Sequence, residues 1–171
     1  MRISVFVGLS IDGFLARADG RYDFLAPFEG HDHGYAEFMR SVDALIVGRA
    51  TYDLVCGFAE WPYAGKRVVV LTHRPIAARH GETAHAGLLA PLASALAADG
   101  IARAYIDGGR AIRQALDEDL VDDMTLSTVP RTIGSGIPLF GGGISCTTAW
   151  TLASSRTYSN GLVQARYERA R

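Results

Sequence analysis

Ala44-Leu45-Ile46-Val47-Gly48-Arg49-Ala50-Thr51-Tyr52 is the stretch that decides the fold. Four apolar residues in succession leave no polar face, so they read as a short strand covered on both sides, the habit of parallel sheets sandwiched by helices. Gly48 stops the strand, and Thr51 to Ala59 reads as a short helix. The same strand-into-turn pattern recurs downstream. Val68-Val69-Val70-Leu71 runs into Thr72-His73-Arg74, and Ala104-Tyr105-Ile106 runs into Asp107-Gly108-Gly109-Arg110. Upstream, Ile3 to Leu9 is another buried strand, closed by Ser10-Ile11-Asp12-Gly13. Met124, Leu126 and Thr128 alternate in a fifth strand before Pro130.

Helical stripes fall between these strands. Tyr35, Phe38, Met39 and Val42 recur at the spacing of one helix face. Leu89, Leu92, Ala93 and Leu96 carry a second stripe, with Pro91 in its first turn, where a missing N–H costs nothing. Ile112, Ala115 and Leu116 carry a third. From Trp150 to Arg169 the pattern changes to two β-rich runs around Ser159-Asn160-Gly161, and Asn-Gly is a strong hairpin signal. The expected architecture is an α/β mixed sheet with helices on both faces and an antiparallel hairpin at the end.

The chain has 171 residues, the size of one domain, and no repeat or linker divides residues 1–171. It is 49% hydrophobic and 20% charged, with a formal net charge of -1, so it carries no general electrostatic footprint for nucleic acid or an anionic membrane. No apolar run approaches the roughly 20 residues that span a bilayer, and the N-terminus leads into a strand rather than a signal peptide. Cys56 and Cys146 match neither a disulfide framework nor a zinc pattern, which suits a reducing cytoplasm.

The three turns are the candidate chemistry. In open α/β sheets ligands bind beyond the carboxyl ends of strands. Glycine there lets a phosphate approach the backbone, and the first N–H groups of the following helix point at the anion. Arg49 and Arg74 would add charge-assisted hydrogen bonds, and Thr51 could cap its helix or donate to the same phosphate. Against this, a glycine can be only a turn and an arginine only surface. Neither a Gly-x-Gly-x-x-Gly fingerprint nor a P-loop is present. His31-Asp32-His33 lies in a polar stretch before a helix, without a further ligand pair, and reads as loop polarity and capping rather than a metal site. Asp32 is either a helix cap or a proton relay beside a pocket. No nucleophile elbow or zinc-deaminase signature is present. Phe58, Trp61 and Tyr63 flank Pro62 and are expected to pack under a loop, with ligand stacking as the alternative.

Taken together, these residues resemble the dihydrofolate-reductase-like superfamily, and within it the reductase domain of the bifunctional riboflavin-biosynthesis deaminase/reductase and its stand-alone bacterial relatives. The resemblance rests on Ile3 to Ala16, Asp43 to Tyr52, Leu71-Thr72-His73-Arg74, Asp107-Gly108-Gly109, and Val129-Pro130 with Gly134-Ser135-Gly136-Ile137-Pro138-Leu139-Phe140. It implies a three-layer α/β/α fold and NADPH bound across the strand ends. Gly8, Leu15 and Ala16 would lie near the nicotinamide. Gly48, Arg49 and Thr51 would meet the pyrophosphate and adenosine side. Thr72, His73 and Arg74 would surround the 2′-phosphate. Gly108 and Gly109 match the family's Gly-Gly turn, and Arg110, Ala111 and Ile112 open the helix facing the pyrophosphate. Counting back from Gly48 places Asp32 at the family's acidic position, with Glu37 as a competitor.

The resemblance thus implies an NADPH-dependent reductase that transfers hydride to a small heterocycle, either a pteridine of dihydrofolate type or a riboflavin-pathway aminopyrimidine. A folate-type substrate would need Asp32, whereas a riboflavin-pathway substrate would need its phosphate. The alternatives are a catalytically silent NADP-binding protein acting as a sensor or interaction module, and a structural domain that binds no nucleotide. Relatives of this type dimerise, and the C-terminal hairpin could supply the edge of a homodimer.

Overall fold

The computed structural model describes residues 1–141 and 147–170; Cys146 lies outside them. The chain opens with strand β1 (Arg2–Ser10) and a short strand β2 (Phe14–Ala16), followed by helix α1 (Tyr35–Arg40). Strand β3 (Ala44–Gly48) leads directly into helix α2 (Arg49–Val55), and strand β4 (Arg67–Leu71) precedes strand β5 (Thr83–His85). Helix α3 (Leu89–Ala98), strand β6 (Arg103–Asp107), helix α4 (Gly109–Asp117) and strand β7 (Asp123–Val129) complete the alternating part. Strands β8 (Ile137–Pro138), β9 (Trp150–Thr157) and β10 (Val163–Arg169) follow.

Among the described residues, eight strands form one sheet in the order β5-β4-β3-β6-β1-β7-β10-β9, and β2 pairs with β8 apart from it. The six strands from β5 to β7 are parallel, so their carboxyl ends share one edge. β10 lies antiparallel to both β7 and β9, which gives the expected C-terminal hairpin. Asn160 and Gly161 sit in its connection, with Gly161 at φ +87° and the Asn160 side chain accepting from the Leu162 N–H.

Two apolar layers flank the sheet. On one side Ile46, Val69 and Ile106 pack beneath Leu89 and Leu96 of α3 and Ile112 and Ala115 of α4. On the other, Leu45, Val47, Val68 and Val70 pack beneath Phe38 of α1 and Tyr52 and Val55 of α2. Side chains of β3 and β4 therefore enter both cores, which is why those runs show no polar alternation. Ile106 is fully buried, and truncating such a residue to alanine costs about 2–5 kcal/mol.

Two expectations need adjustment. The helix expected over Thr51 to Ala59 begins at Arg49 and ends at Val55; Gly57, a poor helix former, closes it in a turn with its N–H on the Leu54 carbonyl. In β7, Thr125, Ser127 and Val129 are more buried than Leu126 and Thr128; Val129 packs against Phe24, Phe28 and Leu162, and Ser127 accepts from Gln164 of β10.

Candidate functional site

The carboxyl ends of β3 and β6 are in contact. Gly108 stands at φ +98°, and a Cβ there would lie 2.7 Å from the Thr51 hydroxyl oxygen and 3.4 Å from the Gly48 nitrogen. The first and third turns are thereby one structure, closed by a residue that must be glycine for both its dihedral and its space. Helix α4 starts at this point with no side-chain cap on Gly108, and its nine residues run back along the sheet. Its first backbone N–H groups face the strand edge, the arrangement that receives an anion.

The β2–β8 pair covers the same place. A Cβ on Gly109 would meet Ile137 at 2.7 Å and Leu15 at 3.3 Å, and one on Gly136 would lie 2.1 Å from the Ala16 carbonyl oxygen. The Arg113 guanidinium donates to the Pro138 carbonyl at 2.6 Å, holding β8 against α4. Asp12 secures the next loop by accepting from the N–H groups of Ile133 and Gly134. Leu15 and Ala16 are thus brought to the mouth of α4. Gly8 lies deeper in β1, where a Cβ would press on Leu25 at 2.9 Å.

The turn after β4 joins through Arg49. Its Nε donates to Asp53 at 2.8 Å and its Nη1 to the Pro75 carbonyl at 3.1 Å, tying α2 to the segment that follows Arg74. Thr72 forms a local turn by accepting from the Arg74 N–H at 3.1 Å. The side chains of His73, Arg74 and Arg110 are exposed at this edge. Ala111 and Ile112 are buried in the core, so only their backbone can face a ligand. The segment after Arg74 is fixed by Glu82, whose buried carboxylate accepts from the N–H groups of Arg79 and His80 at 2.8 and 2.7 Å. Burial would raise the Glu82 pKa, but these backbone donors and nearby His80 hold it below its ordinary value.

Asp32 precedes α1. It is exposed, and its Oδ1 accepts from the Ala36 N–H at 2.8 Å, the capping role weighed above. Glu37 is also exposed. The acid at the strand ends is instead Asp107, the last residue of β6, which the sequence marked only as the start of a glycine turn. Burial pushes its carboxyl above the ordinary carboxylate range, against the Gly108 N–H and the Tyr105 hydroxyl, which favour the charged form. Three tyrosines feel its charge. Burial and then Asp107 push Tyr35 up to about 12, and the same causes, in the same order, raise Tyr63 and Tyr105 further. Phe6, Tyr35, Phe38 and Tyr105 pack edge-on or tilted with centroids 4.9–6.5 Å apart, forming an aromatic wall beside the carboxyl group. The available signal was a charged residue ending an otherwise buried strand. Tyr63 packs under its loop as expected and Trp61 is half-buried, whereas Phe58 is exposed.

A mostly parallel sheet with anion-type turns at one edge, closed by an antiparallel hairpin, defines a dihydrofolate-reductase-like α/β protein of the kind found in RibD reductase domains. The chain belongs to the RibD C-terminal domain family, whose model matches residues 2–164. It is 34% identical to a protein of Shewanella sp. PV-4 provisionally assigned to riboflavin biosynthesis, with a TM-score of 0.91 and full coverage of both chains. It is 33% identical over 140 residues, 80% of each chain, to the uncharacterised protein YwjB of Bacillus subtilis (strain 168). The fold also matches a deaminase/5-amino-6-(5-phosphoribosylamino)uracil reductase of Thermotoga maritima, with a TM-score of 0.71 at 15% identity; the present chain spans 56% of that protein. Among the described residues no helix is long and apolar enough to cross a membrane, and no group of three or more His, Cys, Asp or Glu side chains could hold a metal ion.

Proposed function

We propose that the protein is an NADPH-dependent reductase acting on a small heterocycle of pteridine or aminopyrimidine type. The observation that carries this reading is the closure of the Gly48 and Gly108 turns on each other, beneath the uncapped N-terminus of α4. A pyrophosphate would lie at the start of α4, which no side chain caps, against the first N–H groups of the helix. Arg74 and His73, exposed beyond β4, suit the 2′-phosphate, and an arginine fork favours NADPH over NADH. Leu15 and Ile137 would shield the reduced ring from water.

When bound, the nicotinamide supplies a hydride to an electrophilic carbon of the substrate. The chain's own task is orientation and supply of a proton to the adjacent heteroatom. We assign the proton to Asp107 rather than Asp32. Tyr105 has one hydroxyl proton, and the Phe6 carbonyl lies 2.9 Å away to accept it. Burial at the strand end favours the protonated form of the Asp107 carboxyl group. A protonated acid beside these aromatic side chains can donate to a ring nitrogen of the substrate.

The first test is fluorescence titration with NADPH and NADH, alongside an Arg74→Ala variant. The expected result is tighter NADPH binding and loss of that preference in the variant. No saturable binding of either nucleotide at millimolar concentration would overturn the reading, and cofactor binding without turnover on any pteridine or aminopyrimidine would leave the silent NADP-binding alternative. We also propose a homodimer paired through β9, whose residues from Thr151 to Thr157 are all exposed on the sheet's outer edge.

A further inference from the structure

A cleft between the end of α2 and the segments around Trp61 and His80 has no part in the reaction above. It is open to solvent and offers about 160 Å³, room for one six-membered ring. Its lining is mostly polar: Arg79 and His80 stand beside the apolar residues Val55, Phe58 and Trp61, with no carboxylate among the lining residues. The Trp61 indole stacks on the His80 imidazole at 4.5 Å and 14°, which makes a firm wall. Arg79 enters no ion pair among the described residues.

The basic side is built rather than incidental. Glu82 holds the backbone N–H groups of Arg79 and His80, while the Tyr52 hydroxyl reaches the Ala77 carbonyl at 3.3 Å and Glu82 at 3.4 Å. The turn that presents the guanidinium is therefore fixed to α2. The Glu82 carboxylate is occupied by these donors, so its charge is directed at the turn.

We propose that this cleft is a binding site for a single-ring aromatic carboxylate, separate from the nucleotide turns and independent of the reductase reading. The ring occupies the apolar volume between Val55, Phe58 and Trp61. The carboxylate takes the Arg79 fork, whose paired N–H groups match its two oxygens. The Cys56 thiol, exposed on the cleft wall, reports occupancy.

The test is protection of Cys56 from iodoacetamide in nucleotide-free protein, read by peptide mapping, with benzoate as the probe and benzamide and inorganic phosphate as comparisons. A nine-atom ligand of ordinary efficiency gives a dissociation constant on the order of 1 mM. Benzoate protects saturably, benzamide and phosphate protect at least about tenfold more weakly, and Arg79→Gln weakens benzoate by roughly tenfold. Quenching of Trp61 in a Trp150→Phe background gives a second readout that does not depend on thiol chemistry. The proposal is overturned if benzoate gives no saturable protection or quenching, if benzamide or phosphate equals it, or if Arg79→Gln binds it unchanged. NADPH titration of the same samples separates this outcome from failure of the reductase reading.

Discussion

Replacing Gly108 with alanine tests the joint between the two glycine turns most directly. Two costs add. Holding a non-glycine residue at φ +98° costs about 1–3 kcal/mol. The new methyl, 2.7 Å from the Thr51 hydroxyl oxygen, forces a rotamer or backbone shift worth roughly 1 kcal/mol. The sum is about 2–4 kcal/mol, or a fall of roughly 5–15 °C in Tm for a domain of this size. Urea unfolding of Gly108→Ala, Thr51→Ala and the double variant separates the parts. Thr51→Ala in the Gly108→Ala background recovers the steric part and leaves the dihedral part. Gly48 supplies the contrast: its φ is −67° and a Cβ there meets nothing nearer than 3.9 Å, so Gly48→Ala folds normally while weakening NADPH binding. A Gly108→Ala protein within about 0.5 kcal/mol of wild type would refute the argument, as would full recovery by the Thr51 change.

Asp107→Asn lowers turnover and removes the fall of kcat with rising pH, measured with whichever heterocycle is reduced; Asp32→Ala leaves both intact and only weakens the cap of α1, by about 1 kcal/mol in urea unfolding. Because burial raises the folded pKa of Asp107, the favourable contribution of its protonated form is complete below the ordinary carboxylate range and is lost as pH rises through the raised value. Asp107→Asn therefore unfolds at higher urea than wild type at neutral pH, a difference that shrinks on acidification. Glu82 has the opposite sign: its folded pKa is lowered, so its contribution is present above 4.5 and fades as pH falls through the depressed value. Glu82→Gln costs about 1–3 kcal/mol at neutral pH and loosens the turn carrying Arg79 and His80, read by hydrogen exchange of their amides. Leu152→Lys places a charge on the exposed strand β9 and converts the expected dimer to a monomer in sedimentation velocity.

The strands were legible because their cause is local. Val68-Val69-Val70 has no polar residue to expose, so burial on both faces is the reading that survives, and Leu45 and Ile46 indeed enter opposite cores. The ends of elements were less legible where two local preferences compete, as at α2, where Gly57 closes the helix before the apolar run around Phe58 can extend it. Short strands β2, β5 and β8 carry almost no period of their own. Phe14–Ala16 becomes a strand only because Ile137–Pro138 arrives beside it from more than a hundred residues away. The turns read as places where a phosphate nears the backbone, whereas the close approaches the structure shows at Gly108 and Gly109 are those of the chain's own atoms. Nothing within Asp107-Gly108-Gly109 names Thr51, Gly48, Leu15 or Ile137 as the atoms that forbid a side chain.

Asp107 sharpens this division. A carboxylate on a surface turn and one with a raised pKa are spelled identically, and what distinguishes them here is desolvation at the strand end, beside Tyr105 of the same strand and Tyr35 and Tyr63 from two other segments. Asp32 looked the better acid because its helix lay at a familiar spacing, yet a helix start supplies a backbone N–H that draws the carboxylate into capping. The same strand end thus sets two demands on one tripeptide. On the proposed function, glycine at 108 would let the backbone come close to an anion, and Asp107 before it would carry the acid. If both readings hold, Gly108→Ala and Asp107→Asn must separate: the first loses nucleotide binding and stability together, and the second keeps nucleotide binding, gains stability and loses turnover. A variant pair that moved in the same direction on all three measurements would show that β6 contributes packing alone.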